Sequence, residues 1–331
     1  MTAHAPIRIG TRASALARTQ TGWVAERIAA AGAAIRIETI STQGDARQDV
    51  PIARIGGDGV FVRELEQALL EGRIDAAVHS LKDMPTAATP GLVLASIPER
   101  ATCFDAVVGR TAATLEDLPP HAVVGTSSIR RVAQVLALRA DLVVKPLRGN
   151  VDTRLRRLDA GEYDALILAA AGLERLGLAS RITHLLRPPA FWPAVAQGAL
   201  AIQVRADDHR ALEAVMPLDH LATHAAVIAE RRMLAELAGG CLAPIGAWAR
   251  LNNDAHMTLG GCVLELDSST SVVRRVFAEK TTAVAFSPLG GVHPAELSPN
   301  PAMETLGASV ATHLLANGAG IMLERMRAGL A

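Results

Sequence analysis

Two short strings constrain this chain most: Ile9-Gly10-Thr11 and Val124-Gly125-Thr126 each close an apolar β-branched run and open directly into a helical pattern. The first run, Ile7-Arg8-Ile9, passes through Gly10-Thr11-Arg12-Ala13-Ser14 into a helix with Leu16, Trp23 and Ile28 on related faces that closes near Gly32. The second passes from Val123-Val124 through Gly125-Thr126-Ser127-Ser128 into a helix with Arg130 and Arg131 in its first turn, ahead of Val132, Val135 and Leu136. A strand that turns into a helix at Gly-Thr is half of a βα unit. The repeat therefore predicts two similar α/β domains, with mainly parallel sheets, facing each other across a cleft.

Three further strand ends share the plan: Asp75 to Val78 into His79-Ser80-Leu81-Lys82-Asp83-Met84-Pro85, Leu142 to Leu147 into Arg148-Gly149-Asn150, and Ala165 to Leu168 into Ala169-Ala170-Ala171-Gly172. Ligands of open α/β sheets bind at such carboxyl ends. After Pro188-Pro189 the pattern changes. Leu221 to Ala238 reads as a helix stopped by Gly239. Met257 to Leu266 and Ser271 to Phe277 read as strands of a smaller α+β domain closed by a helix around Met303 to Ala316, and Pro288 to Pro301 reads as a surface loop.

Several classes of function are excluded early. The formal net charge is zero and aromatics are sparse, which leaves neither a basic field nor stacking platforms for nucleic acid. The longest apolar run, around Ala165 to Leu173, falls short of the roughly 20 residues a bilayer needs, and Met1 to Gly10 lacks a signal-peptide core. A soluble, cytoplasmic protein that acts as a monomer is expected. The three cysteines, Cys103, Cys241 and Cys262, form neither an even disulfide set nor a metal-spaced cluster, so no metal is expected. Glycine clusters lack both the Gly-x-x-x-x-Gly-Lys-Ser/Thr string and the dinucleotide fingerprint in a strand-to-helix setting.

What remains is a set of local anion cradles. Backbone N–H groups at a helix start, a small hydroxyl cap and an adjacent guanidinium attract an anion together. Thr11, Arg12 and Ser14 fit that description, as do Thr126, Ser127, Ser128, Arg130 and Arg131. Taken singly, ordinary capping with solvated arginines explains either site. Arg148, with Gly149 beside it and Arg154 one turn into the next element, adds a third clamp suited to carboxylates, whereas Arg156 and Arg157 are expected to face water. Lys82 stands out because only Lys145 and Lys280 accompany it in an arginine-rich chain. Asp83 is read either as a carboxylate that orients an N–H group and stabilises a developing cation, or as a structural ion pair or turn cap. His79 and Ser80 are strand neighbours pointing to opposite faces, which rules out a hydrolytic pair.

Cys262 opens the alternating Val263-Leu264-Glu265-Leu266 and reads as a small core residue. Cys241 lies in the loop Gly239-Gly240-Cys241-Leu242-Ala243-Pro244, where the preceding helix would aim its carbonyl end. That disfavours a thiolate but is compatible with a stable thioether, and an inert buried thiol is the competing reading.

Together these strings resemble the porphobilinogen deaminase (hydroxymethylbilane synthase) family. The resemblance runs from about Ile7 to Arg250. It is carried by Gly10 to Ala17, Thr42-Gln43-Gly44-Asp45, Phe61-Val62-Arg63-Glu64-Leu65-Glu66, Val78 to Pro85, Val124 to Arg131, Leu147 to Val151, Asp164 to Leu173, Pro193 to Ala199 and Gly239-Gly240-Cys241. It implies three domains: 1–98 with 199–216, 103–192, and 221–331, the first two resembling periplasmic binding-protein lobes. The first domain would be discontinuous and completed by a strand near Ala201 to Arg205. It further implies a dipyrromethane cofactor held by a thioether to Cys241, onto which four porphobilinogen units are added with loss of ammonia before hydroxymethylbilane is released. On this resemblance Arg12, Ser14, Lys82, Thr126, Ser127, Ser128, Arg130, Arg131, Arg148 and Arg154 bind the carboxylates of cofactor and substrate. Asp83 is the catalytic carboxylate, with Phe61 near the cofactor and Gln197 near the substrate. The chain departs from the family's usual residues at Arg54, Asp58, Ala196 and Leu242. The alternative from another class is a non-catalytic, two-lobed binding protein for a polycarboxylate, against which Cys241 and the missing secretion signal argue.

Overall fold

Strand β1 (Ile7–Thr11) buries Ile7 and Ile9 and leaves Arg8 half-exposed, the period-two alternation its sequence encodes. The structure is a computed structural model that describes residues 5–42, 59–238, 243–252, 255–267, 273–284 and 301–330. Cys241 with its neighbours Gly239, Gly240 and Leu242, the segment Gln43 to Asp45, the departures Arg54 and Asp58, and the loop expected from Pro288 lie outside the described residues.

The first sheet combines β1 with β2 (Ile35–Thr39), β3 (Ala76–Ser80), β4 (Leu92–Ser96) and β10 (Leu200–Arg205) in the order β2-β1-β3-β10-β4. β1 runs parallel to β2 and β3, while β10 pairs antiparallel with β3 and β4. Helix α1 (Ala15–Ala30) covers one face with Val24, Ala25 and Ile28, set against Ile7, Ile9, Val78 and Ile202. The buried stripe of α1 also takes Gln20 and Thr21, while Trp23 is only half-buried. Helix α2 (Arg63–Leu70) covers the other face with Leu65, Ala68 and Leu69 against Ile74, Ala77 and Leu92.

The second sheet repeats this plan. β5 (Asp105–Gly109), β6 (Val123–Gly125), β7 (Val143–Lys145), β8 (Ala165–Ala169) and β9 (His184–Leu186) lie in the order β7-β6-β8-β5-β9. β6 is parallel to β7 and β8, and β5 is antiparallel to β8 and β9. Helices α3 (Ile129–Leu138), α4 (Val151–Asp159) and α5 (Ala170–Arg175) follow β6, β7 and β8.

The shared glycine now has a physical reason. A Cβ on Gly10 would fall 2.4 Å from Ile74 Cδ1 and 2.9 Å from Leu65 Cδ2, and one on Gly125 would fall 2.7 Å from Leu166 and 2.8 Å from Tyr163. Each junction strand is pressed against its covering side chains where only hydrogen fits.

Beyond β10 come α6 (His209–Val215) and α7 (Leu221–Glu236). A third, antiparallel sheet follows, in the order β11 (Ile245–Leu251), β12 (His256–Leu266), β13 (Val273–Ala283). Two helices close the chain, α8 (Pro301–Ala316) and α9 (Ala319–Leu330). The expected pair of strands and single helix is thus three strands and two helices. α8 buries Met303, Leu306, Val310 and Leu314 on one stripe. Cys262 is fully buried with Trp192, Leu264 and Ala133, and burial pushes its thiol up to about 12, the inert core residue its alternating strand predicts. The chain divides into two compact units; the first takes Met1–Ala101 and Ala199–Ala225, and the second takes Thr102–Gly198, Ala226–Val284 and Pro301–Ala331. Among the described residues no single helix is long and apolar enough to cross a membrane, and no three His, Cys, Asp or Glu side chains gather as metal ligands do.

Candidate active site

In the first unit, β1 ends at Thr11, which is fully buried, and Ser14 caps α1 by accepting from the Ala17 N–H at 3.3 Å. Between them Arg12 lies over the Phe61 ring at 4.0 Å from its centroid, a cation–π contact that fixes the guanidinium plane. β3 runs into a one-turn 3₁₀ helix, Leu81–Asp83, tied at its start by the Leu81 N–H donating to Ala199 O at 3.0 Å. Leu81 is fully buried, while Lys82 and Asp83 after it are half-exposed. The turn holds a cation and a carboxylate side by side above a packed floor.

That floor is uncharged at His79. Burial, with the Arg12 charge adding to it and a Gln203 contact opposing, lowers the imidazole to about 4. Ser80 turns to the other face and hydrogen bonds the buried Gln20 amide at 3.0 Å. His79 and Ser80 therefore have separate environments, as strand alternation requires.

The second unit concentrates positive charge. α3 buries Arg130, Arg131, Ala133, Gln134 and Val135, so the stripe expected on Val132, Val135 and Leu136 is instead shared by two arginines and a glutamine. Their counter-charge is Asp105 at the start of β5, which is fully buried. Arg130 NH1 lies 2.7 Å from Asp105 Oδ2; Arg131 reaches Oδ1 with NH2 at 2.7 Å and Nε at 3.0 Å. Burial opposes the charged carboxylate, yet the two guanidiniums and Gln197 hold Asp105 below the ordinary carboxylate range. Arg130 also donates to the Trp192 carbonyl and is 4% exposed, so among the clustered arginines it has the least surface left for a ligand.

Gln197 is likewise enclosed. It is 1% exposed and donates to Cys103 O at 2.8 Å and Asp105 Oδ1 at 3.0 Å, so it braces the carboxylate beneath the arginines instead of lining open space.

Arg148 and Arg154 complete the cluster. Gly149, at φ 106°, takes the left-handed turn after Arg148, and its carbonyl accepts from Arg154 Nε at 2.7 Å. Burial lowers Arg154 to about 10, and repulsion from Arg131 and Arg148 adds to it. Arg148 NH1 is buried without a hydrogen-bond partner. Arg154 thus lies against two like charges and Arg148 keeps an unused buried donor, an arrangement whose chemistry suits an anion. Arg156 is exposed and Arg157 half-exposed, and they pair with Asp152 and Glu162 respectively.

The hydroxyls around this cluster differ in their tasks. The Ser127 hydroxyl exchanges hydrogen bonds with Leu147, donating to its carbonyl at 2.9 Å and accepting from its N–H at 3.0 Å, which pins the loop before Arg148. Thr126 is buried and its Oγ1 accepts from the Ser128 N–H at 3.3 Å. Ser128 stands at the α3 N-cap without a side-chain cap bond.

Asp105, Gln134 and Gln20 escaped sequence reasoning, and so did Glu230. Fully buried, Glu230 accepts from the N–H of Ala196 at 2.6 Å and of Ala249 at 2.8 Å, holding Ala196 at φ 56°. A lone carboxylate inside an apolar run, as in Cys103-Phe104-Asp105-Ala106-Val107-Val108, was the available signal.

Two family models match the chain: porphobilinogen deaminase, dipyromethane cofactor binding domain, over residues 7–213, and porphobilinogen deaminase, C-terminal domain, over residues 224–288. A protein named porphobilinogen deaminase from Desulforudis audaxviator (strain MP104C) is 46% identical over 323 residues, 97% of this chain and 98% of its own. One of the same name from Brevibacillus brevis (strain 47 / JCM 6285 / NBRC 100599) is 43% identical over 318 residues, 96% of each chain. Among solved structures, a nutrient binding protein from Burkholderia cenocepacia bound to methionine aligns with TM-score 0.41 and 16% identity over 63% of this chain and 89% of that one.

Proposed function

The chain belongs to the porphobilinogen deaminase family, and from that premise we propose which of its residues carry the chemistry. The enzyme is a hydroxymethylbilane synthase of tetrapyrrole (haem) biosynthesis, a transferase that acts on the small molecule porphobilinogen and uses a dipyrromethane cofactor.

The observation that carries the residue assignment is the cluster of Arg131, Arg148 and Arg154, with its orphaned Arg148 NH1. Each pyrrole of this chemistry brings an acetate and a propionate arm, and such arms suit guanidinium donors left unspent within the fold, as at Arg148 NH1. When bound, the dipyrromethane supplies a free terminal pyrrole carbon as nucleophile.

Arg131, Arg148 and Arg154, helped by Ser128, bind carboxylate arms; Thr126 and Ser127 shape the loop that presents them. Arg130 holds Asp105 and the helix start in place. Arg12, its plane set by Phe61, binds a further carboxylate together with Lys82, and Ser14 orients the N–H groups opening α1. Asp83 hydrogen bonds a substrate pyrrole N–H. Its carboxyl gives a proton to the departing amine as the carbon–nitrogen bond breaks. The carboxylate then stabilises the cation left on the substrate ring and accepts the ring proton released once the new carbon–carbon bond has formed. Gln197 acts on this chemistry through Asp105.

Cys241 holds the cofactor by a thioether, which keeps the lengthening product from diffusing away. The remaining parts of the proposal are a cytoplasmic monomer and three domains, at 1–98 with 199–216, 103–192 and 221–331. The three separate sheets and the placing of β10 in the first of them support that division. Intact-mass measurement of protein from porphobilinogen-producing cells tests the assignment. The wild type is expected to carry a covalent excess equal to two linked pyrroles and Cys241→Ala none; an excess that persists in the alanine variant would overturn Cys241 as the anchor.

A further inference from the structure

Trp192 lies between two elements of the second unit and is bound to both. Its side chain, 2% exposed, is seated in the third sheet, where a Cβ on Gly246 would fall 2.5 Å from Trp192 Cβ and one on Gly260 2.4 Å from Cη2. The slot exists only because both positions are glycine. Phe277 closes it with ring centroids 5.1 Å apart, and the indole N–H donates to Pro189 O at 3.1 Å. The main chain of the same residue belongs to α3: its N–H donates to Gln134 Oε1 at 2.6 Å, and its carbonyl accepts from Gln134 Nε2 at 3.0 Å and from Arg130 NH1. The next carbonyl, of Pro193, accepts from the Ala247 N–H at 3.0 Å and returns the strap to β11.

We propose that Trp192 is a positioning residue that keys the third sheet to the Arg130–Asp105–Arg131 group, so that the sheet's placement fixes the arginine that receives carboxylate arms. With the indole in its slot, the carbonyl at 192 stays where Arg130 can serve it and Asp105 together, and Asp105 in turn aims Arg131. Without the indole the strap keeps the Pro193–Ala247 bond, the Arg275 NH1 bond to Pro189 O at 3.2 Å and the Ala196 bond to Glu230, none of which holds residue 192 itself to the sheet. Arg130 then follows the strap, and Arg131 loses the fixed carboxylate that orients it. The proposal rests on the reading of Arg131 as a carboxylate-binding residue.

Four variants of the cofactor-loaded enzyme test it: Trp192→Leu, Trp192→Phe, Arg131→Leu and, as a control in the same unit, Leu115→Ala, which opens a fully buried core position. Thermal midpoints, kcat and KM for porphobilinogen are measured for each. A displacement of about 1 Å remote from the chemistry costs on the order of 100-fold, so Trp192→Leu is expected to lose about that factor in kcat/KM. Trp192→Phe, which keeps a ring in the slot, stays within a few-fold of wild type, and Leu115→Ala loses thermal stability without the kinetic defect. Wild-type kcat/KM in Trp192→Leu, or an equal kinetic loss in Leu115→Ala, would overturn the proposal while leaving the Arg131 assignment intact. Wild-type KM in Arg131→Leu would remove that assignment, and the proposal with it, whatever Trp192→Leu does.

Discussion

Replacing Asp105 by asparagine keeps the shape of the side chain and removes one negative charge from a fully buried position shared by two arginines. Arg130 and Arg131 then lie within the protein with no counter-charge at 2.7 Å, beside Arg148 and Arg154, which already repel Arg131 or each other. Removing one partner of a buried ion pair costs about 3–5 kcal/mol. For a unit of this size each kcal/mol moves the thermal midpoint by about 2–4 °C, so Asp105→Asn is expected to melt roughly 6–20 °C below wild type at pH 7. The sign with pH follows from the lowered folded-state value of Asp105. Its stabilisation is complete above the unfolded value of about 4 and is lost as pH falls through the folded one. The gap between the two proteins is therefore flat from pH 8 to about pH 5 and narrows only below about pH 4. Differential scanning calorimetry at pH 7, 5 and 3.5 checks this. A gap under about 2 °C at pH 7, or one that has closed by pH 5, would refute the assignment of Asp105 as the charged keystone of the arginine group.

Other expected outcomes concern the site itself. Asp83→Asn keeps the two-pyrrole mass excess but loses turnover by about 10²–10⁴-fold, the range of a general acid–base contribution; single-turnover assays with near-normal product formation would contradict the role. Arg148→Leu leaves the buried donor's place to an apolar stem, and intact-mass spectra should show incomplete cofactor or stalled elongation, with an unchanged mass profile counting against the clamp. Ser14 and Ser128 separate capping from ligand binding. Ser14→Ala should cost about 1 kcal/mol of stability in denaturant titration, whereas Ser128→Ala, which removes no cap bond, should leave stability unchanged and raise KM. Equal stability losses for the two would invalidate the distinction.

The sequence made the junctions readable because a Gly-Thr pair between an apolar run and a helical pattern marks the passage from strand to helix. It could not reveal why Gly10 and Gly125 are glycine, since Ile74 and Leu65, or Leu166 and Tyr163, reach them only through tertiary packing. Arg130 and Arg131 were visible as arginines, but their pairing with Asp105 was not. That carboxylate lies 26 residues before Arg131, with no periodic relation to α3. Gln197 carried a family expectation of lying near the substrate, and its hydrogen bonds to Cys103 and Asp105 had no signal in the sequence. β11 passed unnoticed because Ile245-Gly246-Ala247-Trp248-Ala249 carries a single β-branched residue among small ones, of which Gly246 admits Trp192.

The insertion of β10 between β3 and β4 dictates an order of assembly on the ribosome. About 120 residues separate the end of β3 from the start of β10, so at 5–20 residues per second the first sheet waits roughly 6–24 s for this interior strand. The five strands of the second sheet are all synthesised within that interval, and the nascent chain can complete its later-encoded sheet while the earlier-encoded one still exposes two unpaired strand edges. Until residue 205 has left the exit tunnel, the edges of β3 and β4 that β10 will pair stay open, and nonsense or frameshift truncations before β10 release a chain whose first sheet cannot close.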